Sequence, residues 1–140
     1  MPTHSELREL AKTRLTDAET LLREGRFDAA AYMCGYVLEL GLKACVCRRL
    51  GLSEYPGKRR LKGAFTTHNF EDLLLLAGLS EALTIHENPA LFGKWSVVAR
   101  WEPDWRYRRA GSVSRGDVDA MLKALREPPD GVLPWLMKRW

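Results

Sequence analysis

Apolar residues recur through the first part of the chain at three- and four-residue steps. Leu7, Leu10, Ala11, Leu15, Ala18, Leu21 and Leu22 fall on one stripe of a helical surface, with charged residues between them. Thr3 followed by Glu6 has the spacing of a capping box, and Gly25 stands where such a helix would end. The pattern predicts a first helix over about residues 4–24. A second opens at Phe27 and Asp28 and runs to about Leu50. Its apolar and small positions, Ala30, Met33, Cys34, Val37, Leu38, Leu40, Gly41, Ala44, Cys45 and Val46, cover nearly the whole circumference. A helix that is apolar all round is surrounded by protein. It is therefore either the centre of a bundle or packed on a second subunit. Gly35 and Gly41 weaken the helix intrinsically, so both predict close approach of a neighbouring backbone.

The remainder is also helical in pattern. Gly51 to Thr67 reads as a loop. Thr67 is the expected N-cap of a third helix, with Glu71 and Asp72 near its start, Phe70, Leu73, Leu74 and Leu76 on its apolar side, and Gly78 at its end. Asn88–Pro89 reads as N-cap and first position of a fourth helix to about Arg100, burying Leu91, Phe92, Trp95, Val98 and Ala99. Residues 101–113 are loop-like. Ser114 and Asp117 form another expected capping box, opening a fifth helix with Val118, Met121, Leu122 and Leu125 that stops at Pro128–Pro129. The tail promises a last helical turn or two. No segment alternates with period two, so the expected class is all-α, with four to five helices in one bundle.

Composition narrows this picture. A chain of 140 residues forms one domain, here a core over about 5–125 with a short extension over 126–140. At this length roughly 68% of the unfolded surface is buried on folding, enough for a core without staples. Twenty-two Lys and Arg against 18 Asp and Glu give a net charge of +4, weaker than a general nucleic-acid coat would carry. Cys34, Cys45 and Cys47 are an odd number in one apolar segment, which is no disulfide framework, and no second Cys/His pair at ligand spacing makes them a zinc site. The first fifteen residues hold His4, Glu6, Arg8, Glu9, Lys12 and Arg14 without an apolar stretch. Ala29–Leu38, the longest charge-free apolar run, is too short to span a bilayer. A cytoplasmic protein with no membrane partner is the expectation.

Several groups of residues carry candidate chemistry. Lys58, Arg59, Arg60 and Lys62 put four basic residues in five positions, suited to phosphates of RNA or of a nucleotide, or simply to a solvated loop. Arg100, Arg106, Arg108 and Arg109 interleave with Trp101, Trp105 and Tyr107. Aromatic faces beside guanidinium groups suit single-stranded bases or a protein interface. The plainer reading has the aromatics covering the end of the bundle, with Glu102 and Asp104 pairing with the arginines. Trp95 and Trp135 fit the core, while Trp101, Trp105 and Trp140 are candidates for a partner surface. Glu39 and Lys43, spaced i,i+4, either line a cleft or neutralise each other on a buried helix. His68 is the best acid–base candidate, and as first residue of the third helix it would otherwise bond the loop before it. No glycine-rich phosphate loop, metal-ligand spacing or Ser–His–Asp set is evident, so neither cofactor nor metal is expected.

The run LLREGRFDAAAYMCGYVLELGLKACV resembles the HEPN family of small helical domains. The matching positions are Gly25 and Arg26 at the turn, Ala30 and Tyr32 early in the second helix, and Glu39, Leu42, Lys43 and Ala44 in its core. Thr67–His68 before the third helix and Trp105, Arg106 and Tyr107 late in the domain also agree. The resemblance, over about 5–125, implies an antiparallel bundle, commonly a homodimer. It further implies association with nucleotides, RNA or a nucleotidyltransferase partner, often in toxin–antitoxin or antiviral systems. Many members are metal-independent ribonucleases with Arg, four to six residues, then His. That motif is missing here. Seven residues separate Arg60 from His68, and Lys62, at a permitted spacing, is not Arg. His4 has no Arg before it. His86 is preceded at the required spacing only by Leu79, Ser80 and Glu81, and no His follows Arg106. The favoured expectation is a non-catalytic module. The alternative is a ribonuclease using His68 with Arg59, Arg60 or Arg106.

Overall fold

The structure, a computed structural model, describes residues 1–57 and 63–140. Among these lie α1 (His4–Arg23), α2 (Phe27–Leu50), α3 (Phe70–Leu76), α4 (Pro89–Val98), a 3₁₀ turn (Pro103–Tyr107), α5 (Arg115–Arg126) and α6 (Val132–Met137). The all-α bundle expected from the pattern is what forms, with the tail organised into one helix more than the five spelled out by periodicity. α1 and α2 make a hairpin whose turn contains Gly25 at φ +74°, a backbone that L side chains rarely adopt. α2 touches every other element. Its neighbours thus come from this chain, which decides for the bundle centre over the subunit interface as the reason for its apolar circumference. By length and hydropathy α2 resembles a membrane span, but most of it is buried within the fold, as a core helix is.

The helix starts follow the capping chemistry. Thr3 Oγ1 accepts the Glu6 amide at 3.2 Å, while the Thr3 amide donates to Glu6 Oε2 at 2.7 Å. Ser114 and Asp117 repeat the arrangement at α5, and Asn88 with Pro89 opens α4. α3 departs from expectation. Its cap is Asn69, whose Oδ1 accepts the amides of Glu71 and Asp72 at 2.8 and 3.1 Å. An Asn carbonyl two residues closer to the apolar run takes two orphan donors at once, so it displaces Thr67 as cap. The Thr67 hydroxyl instead accepts the Asn69 amide and donates to Asp72 Oδ2, each at 3.0 Å. His68 consequently sits outside the helix. α4 ends at Val98, short of Arg100, with Phe92 and Ala99 only half-buried.

The glycines of α2 are explained by side chains rather than by a neighbouring backbone. A methyl group added at Gly35 would run into the Trp101 ring, and one at Gly41 would stand 3.0 Å from Leu136 of α6. Trp101 is therefore a core residue, 3% exposed, and Trp140, 7% exposed, is another. Both leave the set of surface aromatics, because the small positions of α2 give their rings somewhere to go. Trp95 is buried as expected. α6 is tied down further where Arg48 donates to the carbonyls of Lys138 and Trp140. Cys34, Cys45 and Cys47 are free and buried, and desolvation pushes the Cys34 and Cys45 thiols up to about 12.

Gly35→Ala sets two effects against each other. Ala gains about 1 kcal/mol of helix propensity. Overpacking against a rigid buried ring costs about 1–3 kcal/mol. The net expectation is a lower urea midpoint at unchanged slope. A midpoint equal to or above wild type would refute the close packing of Trp101 on Gly35.

Candidate functional site

Asp28, Tyr32, Tyr36, Glu39 and Lys43 follow one another on α2 at steps of four, four, three and four. Such steps keep side chains on one side of a helix, so a polar seam runs along an otherwise apolar rod. Each seam residue meets a partner supplied by a later segment or by its neighbour.

At one end, Glu39 is 3% exposed, the one buried charged residue recorded among those described. Its Oε1 accepts from Lys43 Nζ at 2.6 Å, and His68 Nδ1 lies 3.0 Å from both carboxylate oxygens. Lys43 Nζ also sits 5.1 Å from the centre of the buried Tyr55 ring. Asn69 and Thr67, which set the start of α3, also set where His68 reaches α2. The His68 side chain is 51% exposed. With Nδ1 donating to Glu39, neutral imidazole presents Nε2 as an acceptor. The predicted Glu39–Lys43 pair is thus present, and His68, expected to serve the preceding loop, bonds to it instead.

In the middle, the hydroxyls of Tyr32 and Tyr36 are 3.2 Å apart and their rings meet edge to face at 5.1 Å. Both rest on Trp101, with ring centres 5.7 and 5.5 Å away, and Phe70 stacks on Trp101 at 5.6 Å. The Tyr32 hydroxyl, burial and the Glu39 charge push Tyr36 up to about 12.

At the other end, the 3₁₀ turn delivers Trp105, Arg106 and Tyr107. The Arg106 guanidinium lies 4.7 Å from the centre of the Tyr107 ring, and the nearby Tyr107 and Tyr32 phenols raise its pKa further. Arg108 covers the Trp105 ring at 3.9 Å. Asp28 fixes the following loop: its Oδ2 accepts the Gly111 amide at 2.7 Å and its Oδ1 the Val113 amide at 3.1 Å. Between this loop and α2 lies a cavity of about 350 Å³ walled by Asp28, Tyr32, Trp105, Arg106 and Arg108, among others. A second lobe of about 200 Å³ shares Trp105, Arg108, Ser112 and Val113 and adds Arg100 and Asp117. An exposed guanidinium on an aromatic face is worth about 0.5–1 kcal/mol. A base on the same face is worth about 1–3 kcal/mol.

Of the predicted residues, the fold thus joins Glu39, Lys43 and His68 at one end of the seam and Trp105, Arg106, Tyr107 and Arg108 at the other. About 10 Å of helix, seven residues from Tyr32 to Glu39, separates them. Arg109 is exposed beside the second group. Glu102 and Asp104 form no ion pair with these arginines among the described residues, contrary to the plainer expectation for this segment. Lys58, Arg59, Arg60 and Lys62 lie outside the described residues. No three His, Cys, Asp or Glu side chains gather to hold a metal among the described residues. Tyr36 and the clamping role of Asp28 escaped the sequence reading, although their spacing with Glu39 and Lys43 was there to find.

Removing one member of a buried ion pair strands its partner's charge. Glu39→Leu is expected to destabilise the fold on the order of 3 kcal/mol, and adding Lys43→Leu should recover part of that. Equality between the double variant's destabilisation and the sum of the two single values, measured by urea unfolding, would show that the two are not coupled.

A family model, HEPN domain, matches residues 4–127. Searches of curated proteins and of solved structures each found no match. The matched span runs from the first residue of α1 to just beyond α5, and takes in the whole polar seam with both of its ends. The chain belongs to the HEPN family.

Proposed function

We propose that this chain is a non-catalytic HEPN module that binds a nucleotide or RNA. It works as a cytoplasmic homodimer beside a nucleotidyltransferase-type partner, in a toxin–antitoxin or other defence setting. The family is one of nucleotide- and RNA-related modules, and its domains often dimerise. The observation that carries the reading is the cavity beside the 3₁₀ turn, where two arginines and two aromatic rings face one space. Guanidinium groups supply phosphate contacts and the rings supply stacking. The basic run Lys58–Lys62 adds positive charge to the same chain, and three unpaired cysteines suit a reducing compartment.

Binding of a labelled single-stranded RNA, followed by polarisation, is expected to weaken steeply from about 50 to 200 mM salt. The combined variant Arg106→Ala/Arg108→Ala should flatten that slope by about 0.7 for each phosphate it no longer neutralises. The wild-type sample should scatter light as a dimer of the 16.0 kDa chain. Salt-independent binding would remove the phosphate role, and a strict monomer would remove the dimer.

A second reading, a metal-independent ribonuclease, is favoured by one observation, the buried Glu39 carboxylate against His68 Nδ1. A carboxylate so placed orients the imidazole and leaves Nε2 to take a proton from a 2′-hydroxyl; the cation for the phosphate would be Arg60 of the basic run, or Arg106 reaching from the other end of the seam. Under the primary reading, total RNA survives incubation with the protein in EDTA. Cleavage that disappears in His68→Ala would instead establish the second.

A further inference from the structure

We infer that the Trp105 ring is the seat of a base, and that the Arg108 guanidinium now stacked on it is a placeholder. A nucleoside phosphate displaces it, the base takes the ring face, and the freed Arg108 joins Arg106 on the phosphate. This rests on the nucleotide reading above and gives it a site.

Four features of the cavity lead there. First, Arg108 lies 3.9 Å from the Trp105 ring centre, the position a stacked base would occupy. Trp105 and Arg108 line both the 350 Å³ and the 200 Å³ lobes, so their stack forms part of the boundary between the two. Second, no ion pair ties Arg108 down among the described residues, and it is exposed. A cation held only by a ring face exchanges for a base readily, because the base stacks more strongly and the cation gains a phosphate. Third, the charges around the larger lobe are ordered. Arg106 and Arg108 supply the cations and Asp28 the carboxylate, both of whose oxygens already accept loop amides. A phosphate is drawn to the arginines and repelled from Asp28, which fixes the direction in which a nucleotide lies. Fourth, 350 Å³ is at the small end of ligand pockets, about 300–1,000 Å³, and suits one nucleoside phosphate rather than a dinucleotide cofactor. That unit is either a free nucleotide or one residue of a single-stranded RNA, the smaller lobe with Arg100 then taking its neighbour.

The test uses the full chain with four probes: adenosine, adenosine monophosphate, ribose 5-phosphate and a short oligoadenylate. Binding is read by equilibrium dialysis and by tryptophan fluorescence. The monophosphate should quench fluorescence and bind roughly tenfold or more tighter than ribose 5-phosphate, in line with one stacked base. Trp105→Leu should abolish both the quench and that preference, whereas Trp105→Phe, which still offers a ring, should keep most of the preference. Arg108→Ala, at an exposed side chain that holds no ion pair among the described residues, gives a crossed result. Adenosine binds more tightly because the ring face is vacated, and the monophosphate binds more weakly because one cation no longer reaches the phosphate. Ribose 5-phosphate binding as well as the monophosphate, a quench that persists in Trp105→Leu, or an Arg108→Ala effect of the same sign on both ligands would overturn the site while leaving the nucleotide reading standing. No binding of any probe would overturn both. Either preference within the supporting outcome names the source: oligoadenylate far tighter than the monophosphate means RNA, and equal affinities mean the free nucleotide.

Discussion

Everything in this fold is arranged around a helix that has almost no side to offer to water. α2 runs 24 residues from Phe27 to Leu50 and buries more than half of them. An amphipathic helix needs cover on one face only, but α2 needs it on nearly all. α1 supplies the longest flank, and α3, α5, α6 and the 3₁₀ turn close the others. Where α2 carries glycine, the cover comes in closest: a tryptophan ring on Gly35, and leucine side chains of α6 near Gly41. The hydrophobic effect drives this enclosure, and the small residues decide how the large ones interlock.

The functional chemistry follows from the exception to that rule. Polar groups on a buried helix are costly unless they are paired. The seam from Asp28 to Lys43 recruits partners from segments far away in sequence at three of its five positions, His68 for Glu39, the amides of Gly111 and Val113 for Asp28, and the Arg106 neighbourhood for Tyr32, while Tyr36 and Lys43 pair within α2. The loops that bring these partners are the ones that line the cavity. Stability and the candidate site thus draw on the same interactions, and the loop that follows Trp105 and Arg108 is held in place by a side chain of the core helix.

Much of the architecture could be read from spacing alone. The capping boxes at Thr3 and Ser114, the Asn88–Pro89 start and the all-round apolarity of α2 are local patterns with local causes, and all appear where expected. The family was visible in the α2 run, over nearly the span that its model matches. The cap of α3 was misplaced because two polar residues competed for the same amides, and proximity to the helix decided for Asn69. Trp101 and Trp140 were misassigned for a different reason. Arginine neighbours in sequence say nothing of what lies across the fold, and only the glycines opposite reveal a slot for a ring. The His68–Glu39 hydrogen bond joins residues 29 apart and no periodicity reports it. The same holds for the cavity, which exists only once the loop is clamped.

α6 lies wholly beyond the segment that the family model matches, yet it closes one side of the central helix. Leu133 and Leu136 approach Gly41, the Cys45 thiol points to the Leu136 carbonyl, and Arg48 grips the backbone at residues 138 and 140. The matched segment and the packed core are therefore of different lengths in this protein. Wherever a relative lacks such a segment, the corresponding flank of its second helix must be roofed by something else or carry different side chains. In this chain that roof and the polar seam use different positions of α2: Gly41, Cys45 and Arg48 meet the C-terminal segment, and the seam residues from Asp28 to Lys43 meet the rest.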